Sequence, residues 1–248
     1  MRHTAAALSL LLLAATPAAA QPGGPRLLRA PHDLSGVVVL LDAGHDGGNA
    51  AHPGATAALV PAGRGRVKAC DTVGTSTHAG YPEHAFTFDV VTRAAALLRA
   101  RGARVVLTRS TDTGVGPCVD RRAAIGNAAH ADVAISVHAD GGPAAGRGFH
   151  VIEPAAGPVQ ASSHRLALAL RAAVRRDTGT SYATYLAGGT GLDRRSDLAG
   201  LELSRVPKVF VDLANMRNAA DARLVTSPAW RERAAVALVD AVRADVHR

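Results

Sequence analysis

The 248-residue sequence predicts a single α/β domain with a mainly parallel central sheet and helices on both faces. Short, continuous runs of Val, Leu and Ile recur along the chain, and such runs are typical of strands that are buried on both faces. These runs alternate with longer amphipathic segments, a pattern that favours parallel strands joined by helices. Because no internal repeat or low-complexity tract interrupts the pattern, we expect one domain, which covers residues 36–248.

The first half of this domain is predicted to contain two strands, an insertion and a helix. Residues 36–41 form a β-branched, Leu-rich run and are predicted as the first strand. Residues 45–80 are rich in Gly, Ala, Thr and His without a sustained period, so we predict a long irregular insertion held by Cys70. Residues 83–101 follow a proline, which is favoured at helix starts, and carry apolar side chains at helical spacing. The apolar run at 103–108 is the second predicted strand.

The second half continues the alternation of apolar runs and amphipathic segments. Its strands are predicted from short runs bounded by Gly or charged residues, and its helices from apolar residues at a period near 3.6. The predicted strands cover residues 132–138, 148–153 and 208–213, and the predicted helices cover residues 119–129, 162–176 and 228–246.

The N-terminus has the features of a secretory signal peptide. Arg2 provides a basic start, residues 5–15 form an apolar run too short to span a bilayer, and small residues lead up to Ala20. We therefore expect residues 1–20 to be removed, a flexible Pro- and Gly-rich leader over residues 21–35, and a protein secreted to the periplasm or cell wall. No membrane span is expected.

The charge of the chain favours an anionic environment. Removal of residues 1–20 leaves 228 residues and lowers the formal net charge from +8 to +7, because one Arg and no acidic residue is lost. This balance suits a cell wall, although it equally serves solubility. Lys is scarce and only three Tyr and four Phe are available for stacking, so nucleic acid is not an expected partner. We expect a monomer.

The two cysteines, Cys70 and Cys118, are an even pair in an exported chain, which favours a disulfide. The alternative is that one of them is a catalytic nucleophile, but neither carries a recognisable nucleophile motif.

Three polar residues predict a metal centre. His45 follows the first strand, His138 ends the strand at 132–138, and Glu83 begins a helix. Two imidazoles and one carboxylate on separate rigid elements make the open three-ligand set of catalytic zinc. The carboxyl ends of parallel strands meet at one edge of a sheet, so these side chains can converge there. His84, beside Glu83, is a competing ligand.

Seven polar or Gly-containing segments follow one another along the chain, namely Leu41-Asp-Ala-Gly-His45, Ala79-Gly-Tyr-Pro-Glu83-His, Gly116-Pro-Cys-Val-Asp-Arg121, Ser136-Val-His-Ala-Asp-Gly-Gly142, Gly146-Arg-Gly-Phe-His150, Arg195-Ser-Asp-Leu-Ala-Gly-Leu201 and Val211-Asp-Leu-Ala-Asn-Met216. In this order they resemble the zinc-dependent N-acetylmuramoyl-L-alanine amidases of the third amidase type, specifically their compact mycobacterial-type members. The resemblance covers residues 36–246.

The resemblance implies a hydrolase that cleaves the amide between N-acetylmuramic acid and L-alanine in peptidoglycan or muramyl peptides. It implies that His45, Glu83 and His138 bind Zn2+, and that Cys70 and Cys118 match the disulfide pair of the compact members. The catalytic position of the family, however, is a Glu, and this chain has Asp212 there, one methylene shorter.

The substitution at Asp212 leaves alternatives open. We expect Asp212 to be the catalytic base, with Glu202 as either a substitute or a surface acid. Two alternatives to an active amidase remain. One is a catalytically impaired, zinc-bearing protein with a peptidoglycan-binding or regulatory role, and the other is a zinc carboxypeptidase or deacetylase on a similar sheet. Arg195 and Asp197 are expected either to contact carboxylates of the substrate peptide or to form an ordinary ion-paired loop.

Other polar residues receive structural interpretations. Arg121 and Arg122 are predicted to lie on a solvated helix face. The remaining histidines of interest are predicted as structural or exposed, namely His78, His130, His150 and His164.

Overall fold

The computed structural model describes Met1 and residues 33–247. The predicted signal peptide, its cleavage site and most of the predicted leader therefore lie outside the described residues. Asp33 and Leu34 were predicted in the flexible leader, but they belong to the folded domain. Leu34 is fully buried, and Asp33 forms ion pairs with Arg101 and Arg243. The sequence did not reveal this because a single apolar residue has no periodicity.

The described chain forms an α/β domain, as predicted. Its strands are β1 (Val38–Ala43), β2 (Leu59–Gly63), β3 (Arg66–Ala69), β4 (Arg104–Leu107), β5 (Val133–Asp140), β6 (His150–Pro154), β7 (Leu192–Arg195) and β8 (Lys208–Asn215). Its helices are α1 (Pro53–Ala57), α2 (Glu83–Ala100), α3 (Val119–Ala128), α4 (Gln160–Thr178), α5 (Ala199–Glu202), α6 (Ala219–Thr226) and α7 (Pro228–Val246). Short 3-10 turns lie at Asn49–Ala51 and Ala187–Gly189.

Six strands form the central sheet, in the order β4-β1-β5-β8-β6-β7. The first four of these are mutually parallel, β6 runs antiparallel to β8, and β7 runs parallel to β6. The prediction of a mainly parallel sheet is therefore confirmed. The parallel strands end at one edge of the sheet, where their following loops gather the polar residues.

Helices cover both faces of the sheet. The main core lies on one face, where α2 and α4 pack against fully buried strand residues such as Leu41, Val211 and Leu213, and α7 packs against both helices. Phe86 of α2 stacks on Trp230 of α7 at a centroid distance of 6.3 Å. A smaller apolar cluster around Leu40 lies on the other face, under α3. Within the described residues, none of the helices is long and apolar enough to cross a membrane.

The insertion at 45–80 is more regular than predicted. It contains α1 and an antiparallel hairpin made of β2 and β3. The Cys70–Cys118 disulfide joins the residue after β3 to the residue before α3. The prediction that these two cysteines pair is confirmed, and the nucleophile alternative is wrong.

Candidate active site

Three side chains meet beyond the carboxyl ends of β1 and β5. His45 follows β1, Glu83 is the first residue of α2, and His138 lies in β5. His45 Nε2 lies 3.2 Å from Glu83 Oε2, and His138 Nδ1 lies 2.9 Å from Glu83 Oε1. One ligand atom from each residue lies within 4.8 Å of the others, the one such group among the described residues. The structure thus brings together the three residues predicted as ligands.

Glycines let the backbone approach these side chains closely. A Cβ at Gly44 would lie 2.2 Å from the His138 ring, and a Cβ at Gly74 would lie 2.7 Å from Glu83 Oε2. His45 itself has a φ of +58°, a left-handed conformation that is uncommon for a non-glycine residue. The chain therefore accepts local strain in order to present the His45 ring to the cluster.

The donor set fits a zinc ion. Zinc prefers four tetrahedral ligands about 2.0–2.1 Å away, which places neighbouring ligand atoms about 3.3 Å apart. The contacts of 3.2 Å and 2.9 Å that Glu83 makes with His45 and His138 are close to this spacing. Two imidazoles and one carboxylate would leave one position open, as in catalytic rather than structural zinc sites.

The electrostatics of the cluster depend on Glu83. Burial alone would raise the pKa of Glu83, but His45 and His138 hold it well below its usual range. Burial alone would likewise lower the pKa of His45, but Glu83, together with Asp71, raises it to about 10. The cluster therefore keeps a buried carboxylate ionised, and a buried charge needs a cationic partner of this kind.

The second nitrogen of His45 faces a set of oxygen atoms. His45 Nδ1 lies 3.0 Å from the Thr72 carbonyl, 3.2 Å from Thr72 Oγ1 and 3.2 Å from Asp71 Oδ1. Arg122 holds Asp71 through a contact of 3.0 Å to Oδ2 and also donates to the His45 carbonyl at 3.1 Å. Sequence reasoning did not identify Asp71, because a single acid in an aperiodic loop gives no signal.

The prediction that Arg122 lies on a solvated face is wrong. Its side chain is 6% exposed, and it donates to six acceptors on the first strand, the insertion and the loop before α3. One of these acceptors is Asp42, which also accepts from Lys208, Ser136 and Thr108. A buried network of charges thus lies directly below the cluster. Arg121, in contrast, is exposed as predicted.

Asp212 lies next to the cluster on β8. It is directly opposite His138 on one neighbouring strand and His150 on the other. Burial raises the pKa of Asp212 to about 7, with Asp140 and Glu83 adding to the shift and His138 opposing it. His150 Nε2 lies 3.2 Å from Asp212 Oδ2. The carboxyl group is therefore poised to exchange a proton near neutral pH.

A mostly apolar cleft of about 210 Å³ opens beside the two histidines of the cluster. Its walls include Phe210 of β8 and Leu198, and Lys68 of the hairpin lies at its border. A cleft that combines apolar walls with a few convergent polar groups is the usual form of a ligand site.

His84 lies outside the cluster and has other partners. Its Nδ1 lies 2.8 Å from Asp112 Oδ2, and Arg109 pairs with the other oxygen of Asp112 at 2.9 Å. Nearby, Asp46 accepts hydrogen bonds from the backbone N–H groups of Gly47 and Gly114, which fixes the loop after His45.

Tyr185 is a site residue that the sequence did not indicate. Its hydroxyl donates to Asp140 Oδ2 at 2.8 Å, two residues beyond His138. A Cβ at Gly142 or Gly146 would overlap its ring, at 2.6 Å and 2.5 Å. The Gly-rich loop after β5 is therefore shaped to accept this ring.

Comparison with known proteins identifies the family of the chain. The family model described as N-acetylmuramoyl-L-alanine amidase matches residues 39–244. The chain belongs to the N-acetylmuramoyl-L-alanine amidase family. Among the members of that family, it is 45% identical over 215 residues to N-acetylmuramoyl-L-alanine amidase Rv3717 of Mycobacterium tuberculosis, covering 86% of this chain and 87% of that protein.

Solved structures of amidases extend the comparison. The amidase Ami1 of Mycobacterium smegmatis is 41% identical, with a TM-score of 0.81 over 86% of this chain and 98% of that one. AmiC2 of Nostoc punctiforme is 21% identical, with a TM-score of 0.66 over 86% of this chain and 99% of that one, which shows the shared fold alone. The predicted membership among the compact mycobacterial-type amidases is confirmed.

The remaining residues singled out in the sequence lie outside the cluster. Arg195 and Asp197 form a two-contact ion pair with each other, at 2.8 Å and 2.6 Å. Glu202 is not a surface acid, because its side chain is 4% exposed and pairs with Arg64. His78 and His130 are exposed, His150 is buried, and His164 pairs with Glu153.

Proposed function

We propose that the protein is a zinc-dependent amidase that cleaves the bond between the lactyl group of N-acetylmuramic acid and L-alanine. The observation that carries this proposal is the convergence of His45, Glu83 and His138 beside Asp212, in a chain of the amidase family. Similarity to Rv3717, whose name states this activity, supports the choice of substrate bond.

Each residue has a defined task. His45, Glu83 and His138 would hold the ion. When bound, zinc supplies Lewis-acid polarisation of the scissile carbonyl and lowers the pKa of a water molecule. Asp212 takes a proton from the attacking water and delivers it to the nitrogen of L-alanine as the carbon–nitrogen bond breaks. The products are a lactyl carboxylate and a peptide with a free amino terminus.

The position of Asp212 offsets its short side chain. Because Asp212 is directly opposite His138 on the adjacent strand, the two backbones are about 4.8 Å apart. A general base acts within about 2.6–3.2 Å of its proton or through one water. The strand itself therefore brings the carboxyl group close to the ligands, and one intervening water covers the missing methylene.

We further propose that the protein acts outside the membrane as a monomer, after cleavage near Ala20, on peptidoglycan or soluble muramyl peptides. Its positive charge suits an anionic wall. Arg195, near His150, and its ion-pair partner Asp197 are proposed to contact charged groups of the stem peptide.

The products of the reaction test this proposal. The zinc-loaded protein is incubated with a muramyl tripeptide, and the products are identified by mass and by amino-terminal labelling. We expect release of a tripeptide with a free L-alanine amino terminus. Loss of the last amino acid would indicate a carboxypeptidase, and loss of acetate would indicate a deacetylase. The absence of any product, with zinc bound, would support a binding or regulatory protein, and recovery of turnover in Asp212→Glu would then locate the defect.

A further inference from the structure

Two Arg–Asp–His rows end near the His45, Glu83 and His138 cluster. In one row, Arg122 contacts Asp71 at 3.0 Å and Asp71 lies 3.2 Å from His45. In the other row, Arg109 contacts Asp112 at 2.9 Å and Asp112 lies 2.8 Å from His84. The rows have the same chemistry, but only the first ends on a residue of the cluster.

We propose that Asp71 is a positioning residue for the metal, held by Arg122 so that the His45 ring presents Nε2 to the ion. This inference rests on the proposed function, in which His45 is a zinc ligand. Histidine ligands commonly donate their second ring N–H to a carboxylate or carbonyl oxygen, which fixes the tautomer and the ring orientation.

The surroundings of His45 satisfy this requirement. Every polar atom described near Nδ1 is an oxygen, from Asp71 or from Thr72. Asp71 Oδ1 also accepts from the Thr72 backbone N–H at 2.7 Å, so it holds in place the carbonyl that His45 contacts. In the neutral ring that would bind zinc, this arrangement keeps the proton on Nδ1 and leaves the lone pair of Nε2, on the side of Glu83, for the ion.

Asp71 is itself fixed from two directions. Its side chain is 5% exposed, and Arg122 donates hydrogen bonds both to its Oδ2 atom and to the His45 carbonyl. Asp71 also follows Cys70 directly, and the disulfide to Cys118 joins this point to the start of α3, which carries Arg122. The backbone N–H of Val119 donates to the Cys70 carbonyl at 2.7 Å, so the two segments are tied by covalent and hydrogen bonds.

The matched row provides the control for the test. Full-length Asp71→Asn and Asp112→Asn variants are compared with the wild type, and zinc affinity is measured by competition with a chromophoric chelator. Loss of such an outer contact typically weakens metal binding about 10- to 100-fold. We expect that loss for Asp71→Asn and a change within about threefold for Asp112→Asn.

Two further measurements separate positioning from general stability. Asp71→Glu keeps the charge that Arg122 needs but displaces the oxygen, so we expect a folded protein with weakened zinc binding even if Asp71→Asn unfolds. Long-range nitrogen–proton NMR spectra should show the Nδ1–H tautomer of His45 in the zinc-loaded wild type and a mixed signal in the variants.

The outcomes are distinct. Wild-type zinc affinity in both Asp71 variants, with an unchanged His45 signal, would overturn this inference and leave the proposed zinc amidase intact. A wild type that binds no zinc would overturn both proposals. Equal losses for Asp71→Asn and Asp112→Asn would also overturn the inference, because the effect would then be general.

Discussion

The carboxylate of Asp42 is expected to be the most important single group for the stability of the sheet below the site. Its oxygen atoms accept hydrogen bonds from Arg122 at 2.8 Å, Lys208 at 3.3 Å, Ser136 at 2.5 Å and Thr108 at 2.8 Å. Asp42→Asn leaves Lys208, whose side chain is 1% exposed, without its carboxylate partner. Breaking a buried ion pair in this way costs about 3–5 kcal/mol.

That loss is large enough to measure directly. In a domain of this size, each kcal/mol shifts the melting temperature by about 2–4 °C, so Asp42→Asn should melt roughly 6–20 °C below the wild type. Urea unfolding of both proteins in the metal-free state, followed by circular dichroism, gives the free energy without a contribution from zinc binding. The control is Asp89→Asn, whose half-exposed carboxylate pairs with Arg93 and Arg231 and should contribute no more than about 1 kcal/mol.

The pH dependence gives a second signature of the same group. Burial would raise the pKa of Asp42, but Lys208 and Arg122 hold it far below its usual range. When the pKa of a carboxylate is lower in the folded state than in the unfolded state, its full contribution to folding stability is present above the unfolded-state pKa of about 3.9. This contribution is lost as the pH falls toward the folded-state pKa. The difference in the free energy of unfolding between the wild type and Asp42→Asn should therefore be constant from about pH 5 to pH 8 and decrease below about pH 4. A loss of unfolding free energy under about 1 kcal/mol at pH 7 in Asp42→Asn, or a loss no larger than in Asp89→Asn, would refute this account of the network.

Two other variants test the site itself. Asp212→Asn removes the proposed base, so kcat should fall about 100- to 10,000-fold while zinc affinity stays nearly unchanged. A parallel loss of zinc binding would instead indicate that Asp212 is a ligand. Gly44→Ala places a Cβ 2.2 Å from the His138 ring, so zinc affinity and turnover should both fall sharply. Wild-type values of both quantities would contradict the close approach of the Gly44 backbone to His138.

The sequence predicted the architecture because the buried strands are continuous apolar runs. It missed β7, since Leu-Asp-Arg-Arg at an edge of the sheet has no apolar pattern. It also missed the hairpin in the insertion, where Leu59 and Val67 are exposed and no alternation marks an inner face. Edge strands and small hairpins are stabilised by neighbours that are distant in sequence, and a local pattern does not contain that information.

The convergence of the three candidate ligands was predictable for a simple geometric reason. His45, Glu83 and His138 each lie at or near the end of an element, and the ends of parallel strands converge. The supporting residues were not predictable in this way. Arginine side chains are mostly exposed in proteins, and Asp42, the partner of Arg122, lies 80 residues away along the chain. Only the folded arrangement shows that this arginine is buried.

Zinc titration tests the central claim most directly. The full chain is stripped with a chelator, zinc is added back in fractions of an equivalent, and release of the free L-alanine amino terminus from a muramyl peptide is followed. We predict that turnover rises linearly, reaches its maximum at one equivalent, and stays at the baseline in His45→Ala at the same zinc concentration. Full turnover in the stripped protein, or equal turnover in His45→Ala, would contradict a zinc amidase centred on this cluster.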